Sequence, residues 1–338
     1  MKLKPSLSYS EFYITNVCNL NCEECNRFNN YHFKGHQKWS DYEEDYKEWG
    51  KHINLDYVTI LGGEPLLNPT INEWIKGIRS IWKEPTIEIT TNGYRLNYVK
   101  NLYETVRDNN VFFHVSIHNQ KDFEKIEEFI FDFLKDAEKK TIIPDDIDER
   151  WKSQYRRFEK DGLGCDSYKD FENLPEEQKK VCIENGLNDK DFLKFNTYYE
   201  YKDNNGVLIL VYIEDMFYHS AVQKIDNKFV LHNSDVDTAH KRCYGKFNHH
   251  FIKGKLYKCA ISGVLPMFVE QFNFDMTKED YDLLHSYKPL SLDNIEEIDK
   301  FLEEIKNPIP QCKFCPDGLG ESFKLKAVSG NKIKVEQV

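Results

Sequence analysis

Three cysteines, Cys18, Cys22 and Cys25, fall within the eight residues "CNLNCEEC". Thiolates are soft ligands that suit iron–sulfur clusters, zinc and Cu(I). Three is one short of a closed tetrahedral zinc site and the wrong parity for a disulfide framework. In a cubane [4Fe–4S] cluster, three cysteines leave one iron without a protein ligand and open to a substrate or cofactor. The other reading of the loop is a zinc knuckle with His32 or His36 as its fourth ligand.

A second group of cysteines gathers near the C-terminal end. Cys243 and Cys259 are followed by Cys312 and Cys315 in "CKFC". Four thiolates close a site, so this one reads as structural or electron-transferring. Spacing alone does not separate a four-cysteine zinc site from [4Fe–4S], and His249 or His250 could replace one thiolate. Cys165 and Cys182 are left over and read most simply as free cysteines in the insertion. Lys179 and Lys180 flank Cys182 and would favour its thiolate; a role as hydrogen-atom donor would require the thiol.

Residues 8–15, "SYSEFYIT", alternate like a strand and run straight into Cys18. Tyr57–Leu61 is a strand ending in "GGEP". "TIEITTNG" and "VFFHVSIHN" are further strands with polar ends. Between them lie helical stretches, such as "NEWIKGIRSIW", with Trp74, Ile75, Ile78, Ile81 and Trp82 on one face. Strand and helix alternate four times, which predicts parallel βα units. Enzymes built this way place their active sites at the C-terminal ends of the strands. Residues of about 138–205 are charge-dense and read as a mostly helical insertion or lid. "NGVLILVYIEDM" and "NKFVLHNS" read as two more strands, and Asp215, at the end of the first, is a candidate proton acceptor by position. The composition changes near Lys241. The expected division is therefore 1–240, an α/β barrel with its insertion, and 241–338, a small cysteine-bearing domain.

The Cys18, Cys22, Cys25 spacing after a first strand resembles the signature of radical S-adenosylmethionine (radical SAM) enzymes. "GGEP" (Gly62, Gly63, Glu64), "TNG" (Thr91, Asn92) and "SIH" (Ser116, His118) follow in the order of that family's later motifs, and the resemblance covers about residues 8–120. It implies a partial (β/α)6 barrel in which the open iron is chelated by the amino and carboxylate groups of SAM. It also implies that the glycines approach the ligand closely, that Glu64 receives the methionine ammonium, and that Thr91, Asn92, Ser116 and His118 contact ribose and carboxylate. The residue before the third cysteine is usually aromatic in the family and lies near the adenine. Here it is Glu24; either Phe28 is the aromatic that substitutes, or other apolar groups hold the adenine. The second cysteine group resembles the twitch domain, a shorter relative of the SPASM domain, which implies a second, auxiliary [4Fe–4S] cluster.

The net charge of −11 lacks the electrostatic footprint of a binder of nucleic-acid polymers. The start has no apolar signal-like segment, and the longest apolar run, Val207–Ile213, is too short to span a membrane. A cytoplasmic location is therefore expected, where cysteines more often bind metals than form disulfides. The resemblance implies SAM cleavage followed by hydrogen-atom abstraction from a small molecule or a peptide, with a flavodoxin or ferredoxin as electron donor. The alternatives are a non-catalytic iron–sulfur or zinc scaffold and a radical SAM enzyme acting on a nucleotide.

Overall fold

The structure is a computed structural model and describes residues 4–142 and 198–317, apart from 23, 119, 214–219, 226–227, 244–247, 273 and 275. Its strands are β1 (Ser6–Leu7), β2 (Ser10–Tyr13), β3 (Asn54–Leu55), β4 (Tyr57–Leu61), β5 (Thr86–Thr91), β6 (Val111–Ile117), β7 (Glu138–Ile142), β8 (Tyr198–Lys202), β9 (Leu208–Ile213), β10 (Val222–Ile225), β11 (Lys228–Leu231), β12 (His249–Ile252) and β13 (Lys255–Tyr257). Nine of them form one sheet in the order β13-β12-β2-β4-β5-β6-β9-β8-β7. The six central strands, β12 through β9, are mutually parallel. The flanking strands, β13 on one side and β8 and β7 on the other, are antiparallel.

The helices are α1 (Glu43–His52), α2 (Ile71–Ile81), α3 (Leu102–Asp108), α4 (Phe123–Phe133), α5 (Val236–Arg242), α6 (Ala260–Phe272), α7 (Lys278–His285) and α8 (Ile298–Glu304). The first four follow β2, β4, β5 and β6, as βα alternation requires. α2 buries Ile71, Trp74, Ile75 and Ile78 along one stripe, the spacing that a 3.6-residue period puts on one face. No described helix is long and apolar enough to cross a membrane.

Strand alternation gives the sheet two different faces. Phe12, Val58, Ile60, Ile87, Ile89, Val115 and Val211 point to the helices and join the main core. There Phe12 stacks on Phe251 with ring centroids 4.9 Å apart, ringed by Tyr46, Trp49, Trp74 and Trp82. The other face carries Tyr9, Tyr57, Phe112, Leu208 and Leu210 as a small apolar cluster, with polar side chains among them.

Two expectations change. The sheet does not stop at residue 241: β12 pairs in parallel with β2, Phe251↔Phe12, and Trp49 Nε1 donates to the Gly254 carbonyl at 2.7 Å. The segment after 241 is built into the barrel sheet, because Phe251 fills the aromatic core of the first strands. The described ends of the 138–205 segment are the antiparallel strands β7 and β8, not helices. Their alternation is masked by charge, and Lys139 lies over the Phe123, Tyr199 and Tyr201 rings at 5.1, 4.8 and 5.8 Å. The rest of that segment lies outside the described residues.

Candidate active site at the strand ends

After β2 the chain enters a tightly wound loop that carries Cys18, Cys22 and Cys25 as half-buried thiols. Glu24, Phe28 and His32 adopt left-handed backbone angles, with φ of 54°, 61° and 57°, which non-glycine residues adopt only when held there. Several contacts hold them. Asn29 Nδ2 donates to the Asn16 carbonyl at 2.6 Å, and its Oδ1 lies 3.6 Å from Cys25 Sγ. Glu24 accepts from the Ser220 amide at 2.9 Å. Phe28 is fully buried against Phe268, centroids 4.9 Å apart. Phe28 is thus spent on the core beneath the loop, and the expectation that it stands in beside an adenine is withdrawn. His36 Nδ1 is engaged with the Thr15 hydroxyl at 2.8 Å and His32 is exposed.

Gly62 and Gly63 sit against the root of this loop. A Cβ on Gly62 would lie 2.5 Å from the Thr15 carbonyl oxygen, and one on Gly63 would lie 2.4 Å from that of Val17. The Gly63 amide donates to Thr15 O and the Glu64 amide to Val17 O, both at 2.8 Å. The close approach that requires glycine here is therefore backbone against backbone, which fixes the end of β4 to the cysteine loop.

Glu64 is wholly buried. Its Oε1 accepts from the Leu66 amide at 3.0 Å and the Thr91 hydroxyl at 2.7 Å, and its Oε2 accepts from the Asn92 amide at 2.8 Å. Burial pushes its pKa up to about 7, against the pull of those donors and of Arg95. Asn92 extends the chain of contacts: Nδ2 is 2.9 Å from Asn19 Oδ1 and 3.9 Å from Cys18 Sγ. The Leu20 amide also points at Cys18 Sγ, at 3.4 Å. Amide donors directed at sulfur stabilise a thiolate and tune a cluster bound there. Gly62, Gly63, Glu64, Thr91 and Asn92 thus form one bonded patch beside Cys18. Ser116 lies one strand further along β6, its hydroxyl donating to Tyr212 at 2.8 Å, and His118 follows at the strand end, half-buried.

Sequence reasoning missed a row of buried polar groups on the same face of the sheet. On β2, Glu11 accepts from Arg27 Nη2 at 2.7 Å and lies 2.5 Å from His250 Nε2. Burial alone would raise its pKa, but His250 and Arg27 outweigh it and hold the carboxyl near 2. Glu88 on β5 accepts hydroxyls from Tyr57 at 2.5 Å, Thr59 at 3.0 Å and Thr90 at 3.1 Å, with His114 Nδ1 3.8 Å away. Here too burial opposes ionisation, yet His114 and the hydroxyls bring the pKa below its ordinary value. The signal was present: single ionisable residues in the middle of apolar strands, in "SEFY", "TIEIT" and "FFHVS", are costly unless paired.

In the second group, Cys243 caps the C-terminus of α5, Cys259 precedes α6, Cys312 lies in the 3-10 turn at Pro310–Phe314 and Cys315 caps that turn. The Ser234 amide donates to Lys313 O at 2.9 Å, which ties the α5 segment to that turn. Burial pushes the Cys315 thiol well up, and the nearby Cys259, Cys243 and Cys312 push it further. Thiolates from these four cysteines would suit a soft cation as donors. Among the described residues, however, no three His, Cys, Asp or Glu side chains converge as an ion's ligands would. Cys165, Cys182 and Asp215 lie outside the described residues.

Residues 12–140 match the family model of the Radical SAM superfamily. The GTP 3′,8-cyclase of Petrotoga mobilis is 38% identical over 93 residues, 27% of this chain and 29% of that protein. The GTP 3′,8-cyclase of Nautilia profundicola is 22% identical over 234 residues, 68% of this chain and 64% of that protein. The structure of Streptococcus suis SuiB bound to S-adenosylmethionine aligns with a TM-score of 0.30 and 21% identity, covering 37% of this chain and 28% of that one. The chain spans about three-tenths of the length of the first curated relatives it matches.

Proposed function

We propose that this chain, which carries a radical SAM domain and is a radical SAM enzyme, cleaves S-adenosylmethionine reductively and abstracts a hydrogen atom from its substrate with the 5′-deoxyadenosyl radical so formed. The observation that carries the reading is the set of three thiols on one loop at the C-terminal end of a parallel strand, with Glu64 and Asn92 beside them. Cys18, Cys22 and Cys25 would hold the [4Fe–4S] cluster. Bound there, it supplies the electron for SAM cleavage and an iron site for the amino and carboxylate groups of SAM.

The chain's own residues do the rest. Glu64 places a buried carboxyl where an ammonium group would restore its ionised form. The Glu64–Asn92 contact fixes the end of β5 against Cys18. Gly62 and Gly63 keep the cysteine loop seated on β4. Thr91 is committed to Glu64, so its hydroxyl positions that carboxyl, while Asn92, Ser116 and His118 face the SAM side. Cys243, Cys259, Cys312 and Cys315 would hold an auxiliary [4Fe–4S] cluster in a twitch-like arrangement, and Cys182 and Asp215 stay candidates for hydrogen-atom and proton transfer. The remaining parts of the reading are a small-molecule or peptide substrate, a flavodoxin- or ferredoxin-type electron donor and a cytoplasmic location.

A nucleotide substrate is the second reading, favoured by the similarity to relatives named GTP 3′,8-cyclase. Anaerobic reconstitution with iron and sulfide, then dithionite and SAM, tests the first reading. Release of 5′-deoxyadenosine by the wild type, and none by the Cys18→Ala/Cys22→Ala/Cys25→Ala variant, is the expected result; release by that variant overturns it.

A further inference from the structure

Glu24 stands immediately before Cys25 and holds a left-handed backbone angle, φ 54°, that glycine or asparagine would adopt at less cost. Its carboxylate reaches far along the chain, accepting from the amide of Ser220, 196 residues later, at 2.9 Å. Ser220 is buried and opens the β10–β11 hairpin. Its hydroxyl donates to the Val222 carbonyl at 2.7 Å and accepts from the Val222 amide at 3.2 Å. Its own carbonyl accepts from His232 Nε2 at 3.0 Å, just past the end of β11. The N–H of Ser220 is thus spent on the first cysteine loop and its C=O on the exit of the hairpin.

The hairpin is seated as well as bonded. Ala221 and Val222 are buried in the apolar cluster that holds Phe28 and Phe268, and Leu231, the register partner of Val222, packs against it. Two residues past His232, the Ser234 amide donates to the carbonyl of Lys313, which lies between Cys312 and Cys315. Residues 220–234 are therefore tied by main-chain groups to the first cysteine loop at one end and to the second cysteine turn at the other. Apolar burial holds the hairpin over the loop but is non-directional and fixes no register. A charge-assisted hydrogen bond does fix one, and Glu24 supplies it.

We infer that Glu24 is a positioning residue whose carboxylate latches the first cysteine loop to the Ser220–Leu231 hairpin, and so holds Cys25 and its neighbours in the conformation that receives SAM. The inference rests on the radical SAM reading for what the loop receives. Glu24 acts through the loop and the hairpin and does not itself touch SAM. A loop released from the hairpin must be ordered before SAM binds, and apparent affinity falls by the fraction of chains in which it is in place. His232 holds the same segment from the other side, so the two residues act as one clamp on Ser220.

The test compares Glu24→Gln, Glu24→Gly and Glu24→Tyr in the full-length reconstituted protein by SAM affinity, iron content and hydrogen exchange. Glutamine keeps an acceptor for the Ser220 amide and should bind SAM within about threefold of the wild type. Glycine suits the backbone angle but has no acceptor, and tyrosine supplies the aromatic usual in the family but no carboxylate. Both should bind SAM about tenfold more weakly with iron content unchanged. His232→Ala should weaken SAM binding less than Glu24→Gly does, and should add little to it, since both release one segment. Hydrogen exchange scores the latch without SAM: peptides spanning Cys18–Cys25 and Ser220–Val222 should both exchange faster in Glu24→Gly and not in Glu24→Gln. 5′-Deoxyadenosine release by the wild type scores the radical reading separately. The inference is overturned if Glu24→Gly or Glu24→Tyr binds SAM as tightly as the wild type, if Glu24→Gln fails as badly as Glu24→Gly, if iron is lost in step with SAM affinity, or if exchange of the two peptides is unchanged.

Discussion

The two cysteine groups are assembled in opposite ways. Cys18, Cys22 and Cys25 come from one loop of eight residues, braced by local bonds such as Asn29 to the Asn16 carbonyl. Cys243, Cys259, Cys312 and Cys315 come from the end of α5, the start of α6 and a 3-10 turn near the end of the described chain. The first group's thiols are brought near one another by the folding of a single loop. The second group's thiols come from distant segments that must pack first, so a metal held there would be coupled to folding. The difference teaches which group can be altered without unfolding the other. It has a limit, because the loop rests on Phe28, which shares an apolar cluster with Phe268 and with Phe314, the neighbour of Cys315.

The largest effect should come from the first group. Replacing Cys18, Cys22 and Cys25 by alanine should abolish 5′-deoxyadenosine formation, while iron analysis after reconstitution still finds about four irons per chain on the second group. Zinc at the second group, with only about four irons in the wild type, would correct its metal but keep its ligands. Replacing Cys243, Cys259, Cys312 and Cys315 together should lower Tm by several degrees in thermal unfolding and leave substrate-free SAM cleavage measurable. Complete loss of cleavage would show that the shared apolar cluster couples the groups more tightly than their separate assembly suggests.

A joint between the regions can be cut directly. Arg27, two residues past Cys25, and His250, on β12, meet at Glu11. The Glu11 pKa falls from 4.5 to about 2 on folding. A depressed carboxyl contributes stability above its unfolded pKa and loses it as pH falls toward the folded one. Glu11→Gln should therefore cost up to about 3 kcal/mol at pH 7. Denaturant unfolding should find that deficit shrinking between pH 4.5 and 2. An equal deficit at both ends would mean that packing, not charge, holds the joint.

The smallest expected effect is at Glu64. Its pKa is raised from 4.5 to about 7, so its burial stabilises the fold at low pH and loses that contribution as pH rises from 4.5 to 7. An ammonium group beside it favours the ionised form. SAM affinity of the wild type should accordingly climb between pH 6 and 8. Glu64→Gln should flatten that profile and weaken binding about tenfold at pH 8, roughly 1.4 kcal/mol, as equilibrium binding would read. A wild-type profile already flat would remove Glu64 from the SAM contact.

Much of this was legible. Tyr57–Leu61 was bounded correctly because a run of β-branched and aromatic residues ends at two glycines, and βα alternation placed the other central strands. What escaped notice was non-local or two-faced. Pairing of β12 with β2 leaves no local trace, since parallel strands join residues far apart in sequence. The β7–β8 pair hid behind charge that a half-exposed strand tolerates. Glu11, Glu88 and His114 lie in mid-strand rather than at strand ends, and a charge there makes sense only once its partners on neighbouring strands are known. The packing of Phe28 against Phe268 is equally non-local, and nothing near Phe28 in sequence announces it.

The β12–β2 pairing also sets a timetable for the nascent chain. β2 leaves the ribosome early, yet its outer neighbour is encoded about 240 residues later. At roughly 5–20 residues per second, β2 waits about 12 to 48 s with one backbone edge bare. A bare strand edge is a template for the wrong partner. The charge of Glu11 in mid-strand, a liability in the finished core until Arg27 and His250 arrive, is during that wait a deterrent to intermolecular pairing. Glu11→Gln should thus lower soluble yield on expression more than its effect on the folded protein would account for.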